Sequence, residues 1–273
     1  MNDWSNSDPA LLAEVEPVVE ALSAIVPPEQ IMLIGAQCRD LLNWYFGCGA
    51  PRRSTNDTDI ALALRDWDQF VRVRAKFPAI GPTGHRFRIG GVVTDVVPFG
   101  GIEAPPGMTS HPPGKEMLNV HGFTDTYQRA DELPISRGVS IRIPHPEGYV
   151  ILKTHAWLDR SASHEYKDGP DIALAVHWYA ADLDRLYDNE NLWALDLHDF
   201  DLLQAAAALL GKDMRNGLSP EELAVLATRI SGADRDLLAE HFGVAASNWP
   251  LTGPRRRPLV DALLDELTTD RVQ

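Results

Sequence analysis

The sequence predicts an α+β fold, with a mixed-sheet α/β domain over residues 1–146 followed by a helical domain over residues 147–273. Three observations carry this expectation. Short apolar segments of strand length, bounded by glycine or proline, occur only before residue 144. Pro144 and Pro146 close that part of the chain. From Glu147 onward the apolar residues recur at helical spacing. Strands grouped in one half and helices in the other argue α+β or two domains.

Asp8 and Pro9 open the first helix as a capping side chain followed by proline at the first helical position. Leu12, Val15, Val19, Leu22 and Ile25 continue it to the stop at Pro27-Pro28. Ile31–Ile34 reads as a buried strand ending at Gly35, and Ala36–Phe46 as a helix. Asp57–Leu64 is the second strand and Asp66–Phe77 the next helix. Phe87–Ile89 and Val92–Val97 pair around Gly90-Gly91, a common hairpin turn dipeptide. Gly100–Gly114 holds four prolines and four glycines and reads as an exposed irregular loop, either a lid over the site or an ordinary surface excursion. Val139–Ile143 alternates as a further strand. Helices are then expected over Tyr149–Ser161, Pro170 to about Asn189, and Phe200–Leu210 with Gly211 as its end. Ser219-Pro220-Glu221-Glu222 forms a capping box that starts a helix to about Ile230. Asp234–Phe242 and Pro258–Leu267 complete the set. There is no internal repeat.

Composition narrows the setting. Net charge is −14, which opposes polyanionic partners unless a local basic groove or divalent cations offset it. Basic residues cluster at Arg52-Arg53, Arg72 to Lys76, Arg86 with Arg88, and Arg255–Arg257, each read as solvated surface charge. No apolar run reaches the roughly 18 residues of a membrane span, so no membrane association is expected. The amino-terminal residues lack a signal-peptide pattern. Cys38 and Cys48 make no disulfide framework, so a reducing, cytoplasmic setting is the expectation. His145, His155, His164 and His177 have spacings that fit no common zinc motif.

The chemistry concentrates in aspartates. Asp57 and Asp59 alternate on one strand, so they leave the same face about 7 Å apart. Asp95 stands alone within Val92–Val97, and a neighbouring strand carrying it would complete a carboxylate triad. Clustered carboxylates repel and call for a cation between them. Hard oxygen donors completed by substrate phosphates suit Mg²⁺.

Together these residues resemble a known family. Gly35-Ala36 at a strand-to-helix turn, Arg53-x-Thr55-x-Asp57-x-Asp59, and Asp95 running into Pro98-Phe99-Gly100 resemble the nucleotidyltransferase fold of the DNA polymerase beta superfamily. More narrowly, Lys153 to Arg160 and Lys167-Asp168-Gly169-Pro170-Asp171-Ile172 look like segments of the AbiEii-type nucleotidyltransferases, toxins of abortive-infection toxin–antitoxin systems. The resemblance spans roughly 31–180. Ala36 departs from it, since the wider superfamily often has Ser or Gly there, so a phosphate contact at Ala36 must come from backbone N–H groups.

The resemblance implies transfer of NMP from an NTP to an acceptor hydroxyl, with two Mg²⁺ ions held by Asp57, Asp59 and Asp95. Asp95 would sit nearer the acceptor and accept its proton. Gly35 and Ala36 would approach a phosphate, and Arg53 would meet the triphosphate or pair with Asp57. Thr55 is a local hydrogen-bonder or a nucleotide contact. Lys153, which shares a helix face with Trp157 and Arg160, would reach the β/γ-phosphates. Arg160 joins it or pairs with Asp171, which the family pattern places near the nucleotide. Asp168 is expected to be structural. The helical domain would close the active-site cleft. Implied partners are the NTP, an RNA end (tRNA in particular) or a protein hydroxyl, and a cognate antitoxin. Three alternatives stay open: an aminoglycoside-like small acceptor, a glycosyltransferase using Asp-x-Asp, and a non-catalytic module that retains the fold.

Overall fold

The computed structural model describes residues 4–48, 57–110 and 117–268. The chain is α+β and divides into two compact units, Met1–His145 and Pro146–Gln273.

In the first unit α1 (Pro9–Leu12) and α2 (Val15–Ser23) precede β1 (Ile31–Ile34), α3 (Gly35–Tyr45), β2 (Asp57–Leu64), α4 (Trp67–Lys76), β3 (Arg86–Ile89) and β4 (Val92–Gly100). β5 (Met108–Thr109), β6 (Leu118–Asn119), α5 (Phe123–Arg129), β7 (Asp131–Ser136) and β8 (Val139–Ile143) follow. Six strands form a mixed sheet in the order β3-β4-β2-β1-β8-β7, and β5 pairs with β6 separately. β2 lies antiparallel to β1 and parallel to β4. This arrangement puts β2 in the sheet interior, where its second half is apolar and buried on both faces at Ile60, Ala61 and Leu62. Phe87, Ile89 and Val96 from the β3–β4 hairpin are also buried, and Phe70 of α4 packs edge-on against Phe87. Each such side chain withdrawn from water contributes about 1.5–3 kcal/mol.

Trp4 and His145 converge on one carboxylate. The Trp4 indole donates to Asp131 Oδ2 at 3.4 Å, and His145 Nε2 lies 3.0 Å from Asp131 Oδ1. Asp131 opens β7 and is buried.

The second unit is helical: α6 (Pro146–Arg160), α7 (Gly169–Ala181), α8 (Leu183–Leu186), α9 (Leu192–Leu197), α10 (Leu202–Gly217), α11 (Pro220–Ser231), α12 (Arg235–His241) and α13 (Gly253–Thr268). α10 packs against α6, α7, α9 and α13, and its Ala205–Ala208 run is fully buried. Capping chemistry sets several starts. Asp8, Asp66, Asp201, Ser219 and Asp234 each accept a backbone N–H from the first turn of the helix that follows.

The structure departs from the sequence expectation at several elements. The first helix breaks into α1 and α2, which leaves Pro17 in the first turn of the second piece. The helix beginning near Pro170 ends at Ala181, and Asp182 caps the separate α8. Gly211 does not end its helix but lies inside α10. α13 starts at Gly253, five residues before Pro258. α5, β7 and α9 have no counterpart among the expected elements. The segment read as an irregular exposed loop carries regular structure: β4 extends to Gly100 and β5 lies within it. Thr109 is buried there and donates to the Pro98 carbonyl at 3.1 Å. The Glu103 carboxylate accepts from the N–H groups of Gly100 and Gly107, both at 2.8 Å. These bonds give the glycine-rich backbone fixed partners. Residues 111–114 of that segment lie outside the described residues.

Candidate functional site

The parallel pairing of β2 with β4 decides where the aspartates stand. Asp59 is directly opposite Asp95, and Asp57 is opposite Val93. Successive strand residues alternate faces, so Asp57, Asp59 and Asp95 share one face. Thr58 and Thr94, one step along, occupy the other face and are fully buried. The carboxylate face is half-open, with side-chain exposures of 31% for Asp57 and 27% for Asp95.

Two features shape this face. The first is Gly35, at the start of α3, with φ of +69°. A Cβ built there would lie 2.0 Å from Asp59 Oδ2 and 2.6 Å from its Cβ, so the Asp59 side chain fills the space that any other residue would need. The adjoining α3 has no side-chain cap on its first N–H groups, and Ala36 is buried beside them. Gln37, two residues in, donates to the Asp57 carbonyl at 2.8 Å and so ties the start of β2 to α3.

The second feature is Arg86, which the sequence presents only as part of a basic surface cluster. Its Nη2 is hydrogen-bonded to Asp57 Oδ2, and its Nε lies 3.2 Å from Asp95 Oδ1. The signal for it was present. The two-residue turn Gly90-Gly91 fixes the hairpin register and sets Arg86 opposite Asp95. The cation that three clustered carboxylates call for is thus a guanidinium in this structure. Among the described residues, no group of three or more His, Cys, Asp or Glu is placed to hold a metal ion. The donor chemistry nonetheless fits a hard divalent cation: three carboxylates on one half-open face, with Asp59 seated against a backbone that lacks a Cβ.

Arg53 and Thr55 lie outside the described residues. Lys153, Arg160 and Asp171 belong to the second unit, where they form one ion-pair network around Asp168. The Lys153 ammonium lies 2.8 Å from Asp171 Oδ2 and 3.2 Å from Asp168 Oδ1. Arg160 pairs with Asp168 at 2.9 Å rather than with Asp171. Asp168 is fully buried and does not cap α7, because its carboxylate is turned to these two cations. Burial alone would lower the Lys153 pKa, but Asp171 and Asp168 outweigh it and hold the ammonium above its ordinary range. The network locks α6 to the start of α7.

Compared with protein-family models, with curated proteins and with solved structures, the chain matches none. No helix among the described residues is long and apolar enough to cross a membrane.

Proposed function

We propose that the first unit is an Mg²⁺-dependent nucleotidyltransferase that moves NMP from an NTP to an acceptor hydroxyl. The observation that carries this reading is the β2–β4 register, which gathers Asp57, Asp59 and Asp95 on one open face beside the Gly35 turn. In such a reaction the acceptor oxygen attacks the α-phosphorus, and the bond to pyrophosphate breaks. Bound Mg²⁺ ions would offset the charge on the attacking and leaving oxygens. Asp57 and Asp59 would hold both ions. Asp95 would hold the ion nearer the acceptor and take the proton from its hydroxyl. The uncapped N–H groups at the start of α3, including that of Ala36, can receive a phosphate oxygen without a hydroxyl side chain. Arg53 and Thr55 belong to the same proposal as nucleotide contacts, and Lys153 and Arg160 of the second unit, with Asp171 beside Lys153, are proposed to bind phosphate. For Lys153 and Arg160 that role requires a share of the charge now directed at Asp168 and Asp171. An RNA end or a protein hydroxyl is the proposed acceptor, in a cytoplasmic toxin–antitoxin setting.

One observation favours a second reading. Arg86 already compensates the carboxylates, so the face can serve as a structural ion pair in a non-catalytic module.

The test offers purified protein, Mg²⁺ and each α-labelled NTP in turn to total cellular RNA and total protein. Label should enter one acceptor class. It should fall by at least about a hundredfold in Asp57→Ala/Asp59→Ala, since metal stabilisation of the transition state is worth several kcal/mol. Absence of transfer with every NTP and both acceptor classes would favour the non-catalytic reading.

A further inference from the structure

We infer that Arg86 is a displaceable latch: its guanidinium, paired with Asp57 and Asp95 on the carboxylate face, gives way when a divalent cation binds Asp57, Asp59 and Asp95. This inference rests on the reading of that face as a metal site.

Strand register brings the latch to the face. Arg86 of β3 is opposite Asp95 of β4, which is opposite Asp59 of β2. The three residues form a row across three adjacent strands, and Asp57 stands two residues before Asp59. One guanidinium therefore spans carboxylates from two strands. Its grip is uneven. Nη2 makes a hydrogen bond to Asp57, whereas Nε faces Asp95 at 3.2 Å without the alignment of a hydrogen bond. Arg88, two residues along β3, does not share the task, because its Nη1 donates to the Gly91 carbonyl at 3.1 Å.

Displacement is favourable on two counts. The Arg86 side chain is 40% exposed, with Nε its buried end, so much of it already borders water. Ion pairs at that exposure are individually weak. A divalent ion carries twice the charge in a smaller radius, and hard carboxylate oxygens suit it better than a guanidinium does. The released guanidinium stays on the same strand face, where its forked N–H donors match phosphate oxygens.

The test measures Mn²⁺ binding, by the paramagnetic signal of free Mn²⁺, for wild type, Arg86→Met, Arg86→Lys and Asp59→Asn. Binding at this site is the part lost in Asp59→Asn. Arg86→Met should bind Mn²⁺ about tenfold tighter than wild type, the scale of releasing two part-exposed ion pairs. Arg86→Lys, which keeps the charge and loses the fork, should fall between them. Mg²⁺ should also raise the melting temperature of Arg86→Met by more than that of wild type. Equal or weaker Mn²⁺ affinity in Arg86→Met, with site-specific binding intact in wild type, would sink the latch and leave the metal site standing. No site-specific binding in either protein would sink both. If Arg86→Met does not fold, Arg86→Lys decides alone, and unchanged affinity there overturns the latch.

Discussion

At Gly35 two demands meet in one residue. Its φ of +69° is left-handed, and the position of its absent Cβ is filled by Asp59. Gly35→Ala should therefore cost about 1–2 kcal/mol for the backbone conformation alone. It should also displace the Asp59 carboxylate, because the new methyl would sit 2.0 Å from Oδ2. Urea unfolding measures the first effect, and loss of nucleotidyl transfer beyond that stability loss measures the second. A fully active, equally stable variant would refute the account. Lys153 makes a different kind of prediction. Its folded pKa lies above the ordinary 10.5, so the folded state binds this proton more tightly than the unfolded chain does. The stabilisation is then complete below about pH 10.5 and is lost as pH rises through the folded value. At pH 7, Lys153→Met should cost about 3 kcal/mol, since it strips one partner from two buried carboxylates. The stability difference between the two proteins should begin to shrink as pH rises past 10.5 and vanish only above the raised folded-state pKa of Lys153. The sequence shows the aspartates but not the role of Arg86, because Arg86-Phe87-Arg88 reads as ordinary strand alternation until the turn register is counted out.

Elements were legible where local chemistry decides them. β1, β2 and β8 sit where apolar runs and their bounding glycines or prolines place them, and the Asp66, Ser219 and Asp234 caps mark true helix starts. Elements decided by tertiary contact were not legible. Pro134 demotes residues 131–136 as a strand, yet β7 is the outermost strand of the sheet, with only Leu133 and Ile135 of its middle residues turned inward. An edge strand tolerates proline, whose missing N–H faces no further neighbour. Gly211 reads as a helix end because glycine often follows the last turn. Here it serves packing: a Cβ would lie 2.3 Å from the Leu263 carbonyl and 2.9 Å from the Glu266 Cβ, so glycine lets α10 approach α13. Gly211→Val should destabilise the protein by about 1–3 kcal/mol through overpacking, despite the better helix propensity of valine. Thermal unfolding would show this, and an unchanged or raised melting temperature would contradict it.

At the scale of the molecule, the division into a sheet-bearing unit and a helical unit follows from where strand patterning stops, near Pro144. The acidic balance of −14 restricts partners without identifying one. The decisive spatial fact, that Asp59 and Asp95 are neighbours, depends on a parallel pairing between segments separated by a helix and a strand. No local signal encodes that register, since parallel strands carry no turn to set it. Another long-range contact in the same unit has a topological consequence. Trp4 and His145, near opposite ends of a 145-residue unit, reach the same Asp131 carboxylate. Residues 4 and 145 therefore lie within two side-chain lengths of a common carboxylate, so the unit is close to a ring cut once. Relinking residue 145 to residue 4 and reopening the exposed Arg137–Gly138 turn would keep every neighbour in the six-stranded sheet. The same closeness of ends would let the unit be spliced whole into a loop of another protein with little strain on its host.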